Sequence, residues 1–346
     1  MSNADFARPH DGAALRAIIA EGSHSFYAAS RLLPKSVRDA AFALYGFCRA
    51  CDDAIDETQG GRERVVSLYE RLDSAYFGRP EDYVVDRAFA DAVKRYAIPK
   101  AIPAALIEGL DWDDQGRCYD TLEDLQAYAA RVAGTVGAMM ALVMGTRSEA
   151  ALARATDLGA AMQLTNIARD VGEDALRGRI YLPLSWLEEE GISPKAFIAQ
   201  PVASRGIRKS VERLLAEADR LYTKGLSGLG FLPTGCRASI RAAGLIYSDI
   251  GASVQRADWD SVTSRARVTG PRKIALVAQA LTMDRLRSTT PSDAPALAAN
   301  QFLIDAVKDG PQPHMIKPLA DLAPVDRMLE VCLRLNARNV MAEAAR

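Results

Sequence analysis

The sequence has no excess of basic residues. Lys and Arg number 43 against 44 Asp and Glu, a formal charge of -1. A nucleic-acid binder would normally carry a strong basic surplus or stripe, so that class is set aside. Nor does any stretch reach the roughly 18–20 uninterrupted apolar residues needed to span a bilayer. The opening MSNADFARPHDG lacks a basic n-region and an apolar h-region, so no secretory leader is expected. Cysteine is scarce: five residues, odd in number and scattered, which excludes a disulfide framework and suits a reducing cytoplasm. Cys48 and Cys51 form a CxxC, but without a second pair or a nearby His they read as two small core residues. There is no glycine-rich dinucleotide fingerprint and no run of strictly alternating β-branched residues.

What remains is helical throughout. Ala and Leu abound, and apolar residues recur at three- and four-residue spacing. The pattern predicts helices over 11–22, 35–58, 62–77, 83–97, 101–116, 121–145, 148–174, 204–229, 234–257 and 270–287. Breaks fall at Gly60-Gly61, Pro80, Pro99, Gly145, Gly178, Pro194 and Gly270-Pro271. From Ser288 the texture turns to Pro, Ala and polar residues. The expectation is therefore an all-α domain over 1–287 and a partly irregular extension over 288–346, with an amphipathic terminal helix near 325–345.

Two helices end in acid. Arg49, Asp52, Asp53 and Asp56 stand at i, i+3, i+4 and i+7, on one helix face. The Asp52–Asp56 pair repels by about 0.2–0.5 kcal/mol, and its place at a helix C-terminus opposes the macrodipole by about 0.3–1 kcal/mol more. Asn166, Asp170 and Asp174 repeat the arrangement at i, i+4 and i+8, beside Arg169. A single such face reads as a solvated acidic surface. Two copies, each on an otherwise apolar helix and each accompanied by Arg, point instead to carboxylates around a cavity. Buried carboxylates need cations. Hard oxygen ligands without His or Cys favour Mg²⁺, with Mn²⁺ as the alternative, and magnesium fills its remaining positions with water and phosphate. The pattern thus predicts a metal-bridged diphosphate site, with Arg49, Arg169, Arg177 and Arg179 as phosphate-holding or salt-bridging groups. After Tyr128, small residues (Ala133, Gly134, Gly137, Ala138) recur every three or four positions. They suit close helix packing, or a groove for a long aliphatic chain.

The segments SFYAASRLLP (25–34), RDAAFALYGFCRACDDAID (38–56), YAARVAGTVG (128–137), LGAAMQLTNIARDVGEDALRGRIYLP (158–183) and the YSDI…SRARV region (247–268) carry a resemblance. Together, and in order, they resemble the squalene/phytoene synthase family of isoprenoid synthases, and within it the bacterial phytoene synthases. The resemblance implies a helical fold with a central cavity flanked by two aspartate-rich motifs. It implies a prenyltransferase that condenses two geranylgeranyl diphosphates head to head, through prephytoene diphosphate, to phytoene. By the same analogy Asp52, Asp53 and Asp56 form the first metal motif, and Asp170 and Asp174 the second, with Asn166 as a further ligand. Tyr128 carries over as catalytic, and Ser25, Arg49, Gln163, Arg169, Tyr247 and Arg265 as substrate-binding. Relatives often have paired Arg where this chain has Ser264-Arg265, and some have a His where this chain has Gly22. No NADPH is expected, because proton loss, not hydride delivery, ends the reaction. Alternatives are a bacterial C30 enzyme using farnesyl diphosphate, a head-to-tail or cyclising synthase, and a non-catalytic assembly factor of the same fold. The implied setting is the cytoplasm, peripheral at the inner membrane face, with other carotenoid enzymes as candidate partners.

Overall fold

Segments that alternate small and large apolar residues at helical spacing become helices wherever a polar cap can start them. A computed structural model of the chain describes residues 5–56, 61–286 and 292–311, and among these there is no strand. Fifteen helices are formed among them. The first eight are α1 (Asp11–Gly22), α2 (His24–Ser30), α3 (Lys35–Asp56), α4 (Gly61–Tyr76), α5 (Val84–Tyr96), α6 (Ala101–Asp114), α7 (Leu122–Ala129) and α8 (Thr135–Val143). The remainder are α9 (Glu149–Leu176), α10 (Leu184–Glu189), α11 (Pro194–Ala199), α12 (Arg205–Ser227), α13 (Thr234–Arg256), α14 (Gly270–Leu286) and α15 (Gln301–Lys308). All ten predicted helices are present. The one predicted over 121–145 is divided: a π-helical turn, Ala130–Gly134, separates α7 from α8. Helices α2, α10, α11 and α15 were not predicted. The first three have only six or seven residues, too few for periodicity to register. The expected terminal helix near 325–345 lies outside the described residues.

Caps follow the sequence. Ser148, Ser204 and Ser193 accept hydrogen bonds from the backbone N–H groups of Ala151, Ile207 and Ala196 at the starts of α9, α12 and α11. Thr121 and Asp124 form a reciprocal capping box on α7.

Helix α9 is the axis of the molecule. It is buried on almost every side, as an all-round apolar helix should be. One apolar cluster surrounds it with α12 and α13, through residues such as Leu164, Leu214 and Ile246. A second cluster gathers α3, α4, α5, α6 and α8, through Leu44, Leu72, Phe89, Ile107 and Leu142. Residues 292–308 pack onto this body, burying Leu297, Asn300, Leu303, Ile304 and Val307. A buried clasp fixes them. Arg154 donates to the Ser292 and Pro295 carbonyls (3.1 and 3.2 Å) and to Asp157 (3.0 Å), and Asp157 in turn accepts from the Leu297 N–H (2.9 Å). No helix among the described residues is long and apolar enough to cross a membrane.

Candidate active site

A cavity of about 270 Å³ lies where the two apolar clusters meet. Its wall on α9 is a single stripe, Ala151, Arg154, Ala155, Leu158, Gly159, Met162, Gln163 and Asn166, at the i, i+3, i+4 spacing of one helix face. On α3 the stripe is Ala41, Leu44, Tyr45 and Cys48. Continued by one turn, the first stripe reaches Asp170 and the second Asp52. Facing them, Val132, Ala133, Val136, Gly137, Met140 and Met144 supply the wall from the π turn through α8 and just beyond it. The two readings of the small-residue run both hold. A Cβ on Gly137 would sit 2.2 Å from the Ala155 carbonyl oxygen, and one on Gly159 2.3 Å from that of Ala133, so these glycines let the two helices cross in contact while their neighbours bound the cavity. Tyr247 and Phe26 close one side, their ring centroids 5.3 Å apart. Burial pushes the Tyr247 phenol up, and its hydroxyl is hydrogen-bonded with the Ser23 side chain. Ser25 lies on α2, half-buried.

On α9, Asp170 is gripped by two guanidinium groups. Arg169 donates through Nε to Oδ1 (2.7 Å) and through Nη2 to Oδ2 (2.5 Å). Arg265 repeats the fork from the loop after α13, at 2.7 and 3.1 Å. Burial raises the carboxyl, but these hydrogen bonds outweigh it, and Asp170 titrates below its ordinary range. Asp174, one turn on, behaves oppositely: burial, then the charge of Asp170, pushes it up to about 7. Asn166 donates to the Gln163 side-chain oxygen at 3.5 Å, while its own buried Oδ1 has no hydrogen-bond partner.

The first motif is more open. Arg49 pairs with Asp52 (3.3 Å) and Asp53 (2.6 Å), all about half exposed. Asp56 is the last residue of α3, and its side chain lies outside the described residues. The unfavourable acidic end of α3 has a compensation that sequence periodicity does not reveal. Arg64, from α4, donates to the Ala54 and Ile55 carbonyls (both 3.0 Å), placing a cation on that helix terminus. Cys48 lines the cavity and Cys51 is buried in the core beneath it; burial pushes both thiols up, Cys48 to about 12.

Tyr128 does not line the cavity. It is buried on α7, its ring 5.3 Å from Tyr181 and 5.2 Å from Tyr119, and its hydroxyl donates to Asp113 Oδ2 (2.7 Å). Tyr181 donates to the other oxygen of Asp113 (2.8 Å). Desolvation pushes Asp113 up to about 6, with a smaller contribution from Asp52, and Asp113 in turn raises Asp174. Carboxylates from α3, α6 and α9 therefore share one electrostatic field. Asp113 and Tyr181 escaped the motif reading, although Leu106, Leu110 and Asp113 stand at i, i+4 and i+7 on an apolar helix.

Among the described residues no group of three His, Cys, Asp or Glu side chains converges as a ready metal cage. The donor set nevertheless suits a hard cation. Asn166 offers an orphaned buried oxygen, and Asp174 is a carboxyl whose charge lacks sufficient compensation.

A sequence model described as Squalene/phytoene synthase matches residues 19–272. This chain belongs to the squalene/phytoene synthase family. A phytoene synthase of Rhodobacter capsulatus is 53% identical over 76% of this chain and 78% of its own length. One from Cereibacter sphaeroides is 46% identical over 91% and 94%. Among solved structures of the family, a dehydrosqualene synthase in complex with ligand superposes with a TM-score of 0.72 at 28% identity, over 80% of this chain and 97% of that one. A squalene synthase from Alicyclobacillus acidocaldarius follows at 0.66 and 25%, over 72% and 94%.

Proposed function

We propose that this chain is a prenyltransferase that joins two geranylgeranyl diphosphates head to head, through prephytoene diphosphate, to give phytoene and two diphosphates. The observation that carries the reading is the continuity of each stripe: on α3 and α9 the face that lines the apolar cavity runs on into the acidic motif. A tail binds along the stripe and its diphosphate stays at the acidic end. Identity of 46–53% to bacterial phytoene synthases supports the same activity.

Length favours the C20 substrate. The lining on α9 runs from Ala151 to Asn166, about 22 Å at 1.5 Å per residue. An extended chain advances about 1.2 Å per bond, by the geometry that gives about 3.5 Å per three-bond residue. A geranylgeranyl main chain then spans about 18 Å and a farnesyl one about 13 Å. The shorter tail leaves the end of the cavity near Ala151 and Ala155 unfilled.

The family uses Mg²⁺. In this reading Asn166, Asp170 and Asp174 hold it on one side, and Asp52, Asp53 and Asp56 on the other. When bound, it neutralises the departing diphosphate. Arg49, Arg169 and Arg265 hold diphosphate oxygens, Arg169 and Arg265 turning their forks from Asp170 toward the substrate. Gln163 and Tyr247, on the cavity wall, orient the first carbons of the tail, and Ser25, next to the wall residue Phe26 on α2, contacts substrate from that helix. The apolar wall keeps water from the allylic cations. Both condensation and rearrangement end in proton loss, so no reductant is consumed. A C40 hydrocarbon has to leave into lipid, which calls for loose association with the membrane surface.

The test is direct. Purified protein with Mg²⁺ is given C15 or C20 diphosphate, with and without NADPH, and the products are separated by chromatography. Phytoene from the C20 substrate, independent of NADPH, is expected. A C30 product alone, or a requirement for NADPH, overturns the reading.

A further inference from the structure

Helix α6 is a third helix that ends in acid. Its last turn carries Asp111, Asp113 and Asp114 and no basic residue, against the macrodipole, as at α3 and α9. Asp111 accepts from Gln115 (2.7 Å) in local structure. Asp113 instead turns to two buried phenols: Tyr128 donates to Oδ2 and Tyr181 to Oδ1, one for each carboxylate oxygen. The phenols come from different elements, α7 and the segment after α9, and their rings stack at 5.3 Å and 26°. Arg179 is the nearby cation and Asp52 the nearby anion acting on this carboxyl. Tyr128 is followed within two residues by the π turn, a local departure from α-helix of the kind that collects at functional sites.

We propose that Asp113 is a positioning residue for the condensation: it fixes the hydroxyls of Tyr128 and Tyr181 and, through them, the ends of α7 and α9 that carry the π turn and the second acidic motif. A carboxylate does this through two charged acceptor oxygens, one for each phenol, whereas an amide keeps one neutral acceptor oxygen and replaces the other with a donor NH₂. With Asn at this position one phenol would face an NH₂ group and could keep contact only by rotating its hydroxyl to accept, while the other would lose the charge on its acceptor. The tyrosine pair would then lose its common anchor without losing its packing. The inference rests on the head-to-head reading only for its kinetic consequence; the anchoring itself is independent of substrate.

The experiment has two arms. In the substrate-free protein, with tyrosine labelled by ¹³C at Cζ, Asp113→Asn is expected to shift the Tyr128 and Tyr181 resonances, assigned with Tyr128→Phe and Tyr181→Phe, and to leave the other tyrosines in place. Unmoved signals overturn the proposal, whatever the enzyme makes. In the kinetic arm, Asp113→Asn lowers kcat about tenfold to a hundredfold, the scale of a small misplacement of reacting groups, with KM changed less than about threefold. In a Tyr128→Phe background the same change costs less than about threefold, because two members of one unit are not additive. Independent, multiplying effects, or a loss matched by loss of folded protein in thermal unfolding, overturn it. Wild-type protein that turns over no C20 diphosphate counts against the head-to-head reading instead, and the resonance arm still decides the role of Asp113.

Discussion

Arg265 closes on Asp170 from outside its helix, donating Nε to Oδ1 at 2.7 Å and Nη2 to Oδ2 at 3.1 Å, opposite the fork that Arg169 supplies from the neighbouring position. Both carboxylate oxygens are occupied by arginine, so a cation seeking Asp170 competes with a guanidinium that is itself one-third exposed. Arg265→Ala is expected to have two opposed effects. Mn²⁺ binding to substrate-free protein, read by electron paramagnetic resonance, tightens, while KM for the prenyl diphosphate rises about tenfold or more because a charged hydrogen-bond donor is gone. Weakened Mn²⁺ binding would show that the arginine builds the site rather than guarding it.

Asp52→Asn and Asp170→Asn are each expected to lower Mg²⁺-dependent turnover by more than the about 10–100-fold that loss of an outer-shell partner costs. The far-ultraviolet circular dichroism of both variants should match wild type. Unchanged turnover in either would remove the metal assignment for that motif.

Gly137 and Gly159 set the separation of α8, the π turn and α9. Ala in a helix interior gains about 1 kcal/mol over Gly, but at these positions its Cβ meets backbone oxygen at 2.2 and 2.3 Å. Backbone cannot step aside cheaply, and overpacking of about 1–3 kcal/mol or more wins. Both substitutions should lower the denaturant midpoint. Gly46→Ala, where the nearest atom is the flexible end of Leu15 at 3.1 Å, should be close to neutral.

The two acids of the second motif pull stability in opposite directions. Asp174 is raised to about 7, so the folded state binds more protons than the unfolded one between about pH 4 and 7, and stability falls as pH rises through that window. Asp113, raised to about 6, adds to the same slope. Asp170 is lowered, so its contribution is present above the ordinary carboxylate range and is lost only as pH falls below it. Metal-free protein should therefore melt at higher temperature at pH 5.5 than at pH 8 (about one unit either side of the window's upper part). Asp174→Asn should flatten that difference.

Much of this was legible in the residues. Helix α9 announced itself through 28 residues of helical spacing behind Ser148, and the acidic ends of α3 and α9 stood out because a helix built for stability alone would not carry them. The resemblance in segments 25–34 through 247–268 supplied the family. Legibility failed where an effect depends on residues distant in sequence. Arg64 caps α3 across the break between two helices, and Asp113 meets Tyr181 only because α6 and the end of α9 converge. Helix α15 was hidden by its prolyl and alanyl surroundings, which mask a buried face of Leu303, Ile304 and Val307. The division of 121–145 by a π turn had no periodicity signal, because AARVAGTVGAMMALV is small or apolar on almost every face and a one-residue change of phase does not show in it.

The clasp around Arg154 has a bearing on how the chain is made. Arg154 is part of the cavity floor, yet the carbonyls of Ser292 and Pro295 that hold it belong to a stretch synthesised some hundred and forty positions later. A nascent chain that has already gathered α3, α8 and α9 thus holds this guanidinium through Asp157 of the same helix, while the apolar surface that later buries Leu297, Leu303 and Ile304 is still open to water. Covering that surface has to wait for residues 292–308. Premature termination upstream of Ser292 should yield a product handled by the cell as an aggregation risk rather than as a slow enzyme.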